Sequence, residues 1–217
     1  MSSTTFATLD LGNPTDGKTW ERGCQSLGML PEGSVLANLP SIESLVRIFA
    51  GEPDWFYLSG HYAGLSLFSE QGVSIDFAPN QVTLTVGEST KVLRKGEEFK
   101  VHRYCSVVAW GGCSACSRGS DIRTIRSLFD NPTILGYSDS TGWKINDAML
   151  GGGFIRKHFF ANLGVGPLFT SKAVVRAWLT AAAAGYDKSM QKMFRAVDED
   201  GQEWKLENGE VVLGRRF

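Results

Sequence analysis

The feature that most constrains the fold is a run of four large apolar residues that leads into a histidine. Trp55 to Leu58 is followed directly by Ser59-Gly60-His61. An unbroken apolar run of this length predicts a strand covered on both faces, as in a parallel sheet. Open α/β sheets place their chemistry at the carboxyl ends of central strands, so the imidazole of His61 is a candidate functional group.

A second apolar run leads into a cysteine. Residues 106–110 precede Gly111-Gly112-Cys113, and a further cysteine, Cys116, follows three positions later. Neighbouring parallel strands end side by side, so we expect His61 to lie close to one of these two thiols. Such a pair provides a nucleophile and its general base. The other histidines, His102 and His158, do not follow a predicted strand and are interpreted as structural.

Length and composition narrow the class of protein. The 217 residues suffice for one α/β domain with a sizeable core, interpreted here as a single domain over 1–217. The net charge of −1 and the lack of a basic run argue against nucleic-acid binding. No apolar stretch reaches the length of a membrane span, and the N-terminus lacks the pattern of a secretory signal. With only four cysteines, the chain is expected to be cytoplasmic with free thiols.

The order of the remaining patterns predicts a mainly parallel α/β sheet flanked by helices. A helix capped by Ser41 precedes the histidine strand, and residues 64–101 are predicted to insert an antiparallel meander before the cysteine strand. Residues 1–5 are expected to form a flexible tail. Further elements are predicted as strands at 6–11, 34–38 and 134–137, helices at 122–129, 154–163 and 171–184, and a hairpin around Asn208-Gly209.

These motifs, in this order, resemble the caspase-like cysteine peptidases. Ser59-Gly60-His61 ends an apolar strand, a small-small-Cys run follows about fifty residues later, and residues 133–143 are similar to the strand and loop after the caspase cysteine. That group includes caspases, metacaspases, legumains, gingipains, separases and the bacterial CHAT peptidases, and the resemblance covers roughly Ile42 to Gly185. It implies a caspase-like fold and a Cys–His dyad that cleaves peptide bonds in a protein substrate. It implies neither a cofactor nor a metal, and it allows for a regulatory protein partner.

The resemblance assigns roles to individual residues. His61 is the proton shuttle, and Cys113 is the preferred nucleophile because it follows the strand directly. Cys116 is the alternative nucleophile, since Ser-Ala-Cys-Ser-Arg-Gly is similar to the caspase Gln-Ala-Cys-Arg-Gly. The backbone N–H groups of Cys113 and of the residue after the histidine form the oxyanion hole in this family. That residue is a glycine in family members, and here it is Tyr62.

The loop after the strand at 134–137 is expected to line the specificity pocket. Its candidate substrate-binding residues are Ser138, Asp139 and Trp143. A carboxylate at Asp139 would favour lysine or arginine before the scissile bond through charge-assisted hydrogen bonds. Arg103 and Arg118 lie near the cysteine strand, and either would instead select an acidic residue.

Three other functions are compatible with parts of the sequence. Cys113-Ser-Ala-Cys116 after a strand is typical of thiol–disulfide oxidoreductases, although Pro132 follows too closely to match the thioredoxin pattern. A zinc site built from the two cysteines and His61 would have only three ligands. A non-catalytic caspase-like interaction module is the third alternative, and Tyr62 favours it.

Overall fold

The structure is a computed structural model that describes residues 4–12, 14–99, 106–111, 114–138, 155–163 and 169–217. These residues form an α/β fold with two sheets. The large sheet has eight strands and is mixed, and the small sheet has five antiparallel strands.

The large sheet is parallel in its centre and antiparallel at one end. Its strands, in chain order, are β1 (Thr5–Asp10), β2 (Leu30–Leu36), β3 (Trp55–Ser59), β9 (Val107–Trp110), β10 (Thr133–Tyr137), β11 (Phe194–Val197), β12 (Gln202–Glu207) and β13 (Glu210–Arg216). Their spatial order is β13-β12-β11-β10-β9-β3-β1-β2. The five strands from β10 to β2 run parallel, as expected, whereas β11 to β13 are antiparallel and make the sheet mixed.

The small sheet contains the predicted meander and extends it. Its strands are β4 (His61–Ala63), β5 (Ser66–Phe68), β6 (Val73–Ala78), β7 (Gln81–Val86) and β8 (Ser89–Arg94). The sequence indicated only the last three of these strands. His61 was expected at a strand end and instead begins β4, with only Gly60 between it and the end of β3. A Cβ on the intervening Gly60 would lie 3.2 Å from Leu11, Leu67 and Phe68, so this junction is crowded.

Both faces of the large sheet are covered, which explains the unbroken apolar run in β3. Phe56 and Leu58 point into a core shared with the small sheet. Trp55 and Tyr57 point into a second core on the opposite face. The helices are α1 (Pro14–Ser26), α2 (Ile42–Ala50), α3 (Gly119–Leu128), a π-helical segment (Ile155–Phe160) continued by α4 (Ala161–Leu163), α5 (Ser171–Gly185) and α6 (Lys188–Gln191).

Several helix predictions are confirmed and others are corrected. Ser41 caps α2, because its hydroxyl accepts a hydrogen bond from the Ser44 N–H. Helix α1 was not predicted from the sequence. The helix predicted at 122–129 begins earlier, at Gly119, and its N-cap is Arg118. No helix in the described ranges is long and apolar enough to cross a membrane.

The expected flexible tail is partly ordered. Thr5 belongs to β1, and its backbone N–H donates to the Asp54 carboxylate over 2.7 Å. The carbonyl of Thr4 accepts from the N–H of Leu30. The first strand therefore begins earlier than predicted, because it is held by two contacts that are not local in sequence.

Candidate functional site

The histidine and cysteine segments leave the large sheet from two neighbouring parallel strands. β3 pairs with β9 from Trp55↔Val107 to Leu58↔Trp110, an offset of 52 residues (107 − 55). The Gly111 N–H continues this ladder by donating to the Leu58 carbonyl over 2.7 Å. The same offset separates His61 from Cys113 in the sequence (113 − 61). Five residues singled out from the sequence lie outside the described residues: His102, Arg103, Cys113, Asp139 and Trp143.

Gly111 allows the two strand ends to approach closely. A Cβ at this position would lie 2.9 Å from the Tyr57 hydroxyl oxygen and 3.0 Å from the Ser59 Oγ. Any side chain at position 111 would therefore crowd β3 at the end of β9.

His61 presents an accessible imidazole. Its side chain is 54% exposed, and its ring lies beside Phe68 with 5.6 Å between ring centroids. Its Nε2 lies 3.5 Å from the Glu70 Oε1. A carboxylate at this position favours the tautomer with the proton on Nε2. Sequence reasoning missed Glu70; the alternating pattern of the hairpin, which pairs His61 with Phe68, would have indicated it.

The Tyr62 side chain connects the histidine segment to the helix that follows the cysteine loop. Its hydroxyl donates to the Asp121 Oδ2 over 3.2 Å and accepts from the Leu65 N–H over 3.1 Å. Its ring packs edge-on against Trp110, the last residue of β9, at 5.3 Å. Burial, followed by the negative charge of Asp121, raises the pKa of Tyr62, so the phenol stays a neutral donor. Tyr62 therefore holds β4 against β9 and α3.

The backbone of Tyr62 is compatible with the oxyanion role that the resemblance implies. It avoids the left-handed region, so the tyrosine fits without the strain that replacing a glycine suggests. Ala63 and Ser66 flank a two-residue turn in the β4–β5 hairpin. Such flanking residues exchange hydrogen bonds and the next pair does not, so the Tyr62 N–H points away from β5 towards the outer edge of the small sheet.

Cys116 has the surroundings of a structural cysteine. Its thiol has no solvent exposure, and its Sγ lies 2.8 Å from where a Cβ on Gly136 would be. Its backbone N–H donates to the Tyr137 carbonyl over 2.8 Å. Burial raises the pKa of the Cys116 thiol to about 12, although the positive charge of Arg195 opposes this effect. A buried, protonated thiol is a poor nucleophile, metal ligand or redox group.

A buried carboxylate fixes the loop after β1, beside the histidine strand. Asp10 ends β1 opposite Ser59, and its two oxygens accept hydrogen bonds from the N–H groups of Gly12 at 3.0 Å and Gly17 at 2.8 Å. The charge is thus compensated by backbone donors, as a buried carboxylate requires. Burial and the negative charge of Asp10 raise the pKa of the Tyr57 phenol, which lies in the neighbouring strand β3. Sequence reasoning assigned no role to Asp10.

Ser138 is the one predicted pocket residue within the described ranges. Its N–H donates to the Met193 carbonyl over 2.8 Å, and its hydroxyl donates to the same oxygen over 3.3 Å. These bonds continue the β10–β11 pairing by one residue. Ser138 is therefore held just beyond the carboxyl end of β10, at the same end of the large sheet as the junction of β3 and β4.

The described residues contain no candidate metal site, and the comparisons with known proteins found no match. None of their His, Cys, Asp and Glu side chains form a group of three that could hold a metal ion. Comparison of the chain with protein-family models, with curated proteins and with solved structures gave no match.

Proposed function

We propose that this protein is a cysteine endopeptidase that uses His61 and Cys113 to cleave peptide bonds in a protein substrate. In this mechanism, the imidazole takes the thiol proton, and the thiolate attacks the scissile carbonyl to form a tetrahedral intermediate. His61 then donates the proton to the amine as the C–N bond breaks, which leaves the acyl-enzyme, and a water molecule deprotonated by the same imidazole releases the acyl group.

The observation that carries the proposal is the register of β3 and β9. These strands are parallel neighbours with an offset of 52 residues, and His61 and Cys113 are separated by the same 52 positions. His61 and Cys113 therefore lie the same number of residues beyond a paired position of β3 and β9. Both segments leave the large sheet at the carboxyl end of these strands. The close approach at Gly111 and the exposed His61 imidazole support the same interpretation.

The choice between the two cysteines rests on burial. The Cys116 thiol is enclosed by the core and carries a raised pKa, which disfavours the thiolate that attack requires. Its role is better explained as packing against Gly136. The same burial argues against a redox pair and against a zinc site that includes Cys116.

The oxyanion of the tetrahedral intermediate would be stabilised by the backbone N–H groups of Tyr62 and Cys113. The outward direction of the Tyr62 N–H in β4 supports this role. For specificity, we keep the preference for lysine or arginine before the scissile bond, with Asp139 as the selecting carboxylate and Ser138 and Trp143 beside it. A fluorogenic peptide panel on the wild type and on Asp139→Asn tests this part separately.

The decisive experiment is cysteine labelling by iodoacetamide at about pH 6.5, with the modified residues mapped by mass spectrometry. An unassisted thiol is only about 1% ionised at this pH, so a thiol activated by histidine reacts faster. We expect rapid labelling of Cys113 and none of Cys116 in the folded protein. His61→Ala should slow the Cys113 reaction at least tenfold, and His158→Ala serves as the matched histidine control.

Peptide cleavage is measured in parallel on a proteome digest. Cys113→Ala and His61→Ala should abolish cleavage, while Cys116→Ala should retain it. If labelling of Cys113 does not depend on His61 and no peptide is cleaved, the peptidase proposal is wrong and the non-catalytic interaction module is favoured. Loss of cleavage in Cys116→Ala alone would move the nucleophile to Cys116.

A further inference from the structure

An exposed arginine joins the start of α3 to the hairpin that begins with His61. Arg118 directly precedes α3 and follows Cys113 by five positions (118 − 113). Its Nη1 lies 3.8 Å from where a Cβ on Gly64 would be. Gly64 follows β4 and belongs to the turn between β4 and β5. The guanidinium therefore lies beside the tip of the hairpin that carries the proposed base.

The charge of Arg118 has no partner within the described part of the chain. No described carboxylate forms an ion pair with it, and its side chain donates no hydrogen bond to the described residues. Asp121, one turn further along, already accepts hydrogen bonds from the hydroxyls of Tyr62 and Ser120, one on each carboxylate oxygen. By contrast, Arg126 of the same helix donates to three oxygens of the protein. The donors of Arg118 are therefore available to a ligand.

The length of β4 sets the distance between this cation and the proposed base. Gly64 follows His61 by three residues (64 − 61). A strand advances about 3.3 Å per residue, so the hairpin tip lies about 10 Å from His61. An extended peptide along the outer edge of β4, where the Tyr62 N–H points, advances by the same amount per residue. Arg118 therefore faces a substrate residue about three positions from the scissile bond, and not the residue directly before that bond.

We propose that Arg118 determines specificity by binding an aspartate or glutamate of the substrate about three residues from the scissile bond. The planar guanidinium presents its N–H donors in a fork that matches the two oxygens of a carboxylate. This subsite is separate from the one that Asp139 is proposed to form. The substrate class is therefore a peptide with a basic residue before the scissile bond and an acidic residue a few positions away. The inference rests on the proposed peptidase function.

The first test is cleavage of a peptide set with arginine before the scissile bond, in which each neighbouring position in turn is aspartate, glutamine or lysine. At a position about three residues from the bond, aspartate should raise kcat/KM about tenfold over glutamine. Arg118→Glu should reverse this preference in favour of lysine. Arg123→Glu is the matched control, because Arg123 is an exposed arginine of the same helix, and it should leave the preference unchanged.

Peptide binding supplies a second readout that does not need cleavage. Fluorescence anisotropy compares fluorescein-labelled aspartate and lysine members of the set on Cys113→Ala, with and without Arg118→Glu, and circular dichroism checks that each variant folds. The aspartate peptide should bind about tenfold more tightly, and Arg118→Glu should reverse the order. If affinity follows this charge swap but the wild type cleaves no peptide, Arg118 keeps its role and the peptidase proposal is wrong. Equal affinities, no binding of either peptide, or a preference that Arg118→Glu leaves unchanged would overturn the inference, whether or not peptides are cleaved.

Discussion

The contact between Cys116 and Gly136 gives a quantitative test of the role of this cysteine. In Gly136→Ala, the new Cβ would lie 2.8 Å from the Cys116 Sγ. Overpacking of this kind typically lowers the free energy of unfolding by about 1–3 kcal/mol. Cys116→Ala removes one buried heavy atom and should cost about 1 kcal/mol. In the double variant, the methyl group that Gly136→Ala introduces occupies the space that the sulfur leaves.

The two substitutions should therefore be strongly non-additive. We expect the double variant to be more stable than the sum of the single effects by about 1–3 kcal/mol. The assay is urea denaturation, with midpoints compared at constant slope. Cys24→Ala is the matched control, because Cys24 is equally buried but belongs to the core on the other face of the sheet. Its combination with Gly136→Ala should be additive.

Activity measured on the same variants separates packing from catalysis. Cleavage per folded molecule should be unchanged in Cys116→Ala. Additive costs in the Cys116–Gly136 cycle would contradict the packing role. A folded Cys116→Ala variant without activity would refute the argument from burial.

Three further predictions concern the tyrosine, a helix cap and alkaline pH. Tyr62→Phe removes the hydroxyl that bonds Asp121 and Leu65, so urea denaturation should show a loss of about 1–3 kcal/mol; an unchanged midpoint would exclude this link. Ser41→Ala should cost about 1 kcal/mol in a thermal melt without altering cleavage, and an unchanged melt would mean that the cap contributes nothing. Burial raises the pKa of Cys116 to about 12 from 9.0, so the native state keeps a proton that the unfolded state releases, and stability falls as the pH rises through this window. In Cys116→Ala, the free energy of unfolding should fall less steeply with pH, by up to about 1.4 kcal/mol per pH unit. Equal slopes in the wild type and the variant would contradict the raised pKa of Cys116.

The strands around the candidate site could be predicted because their apolar pattern has one physical cause. β3 and β9 are apolar at nearly every position since both faces of the sheet are covered. The meander showed strict alternation because one face of its strands packs on the core. These patterns are local in sequence, so they need no knowledge of the partner strand.

Helix α1 was missed because residues 12–17, which include its first turn, are of types that are common in turns. Gly17 and Gly23 lie inside the helix, where glycine is usually unfavourable. A Cβ on Gly17 would meet Leu36 at 2.3 Å, and one on Gly23 would meet the Phe160 ring at 2.0 Å. The glycines are therefore required by contacts with distant residues, which no local pattern reveals.

The candidate site was predicted only in part for the same reason. His61 and its strand follow from the local pattern, whereas the contact of Tyr62 with Asp121 joins distant segments. The sequence identified Tyr62 only as a departure from glycine. Its function as a link depends on the hydrogen bond between its hydroxyl and Asp121, which lies 59 residues later in the sequence.

The single residue between β3 and β4 has a mechanical consequence. Gly60 is the whole covalent connection between the last residue of β3 in the large sheet and His61 in the small one. The proposed base therefore belongs to the small sheet, whereas the cysteine loop begins at the end of a strand of the large sheet. A rotation of one sheet against the other, too small to break a hydrogen bond within either, would change the distance between the proposed base and the proposed nucleophile.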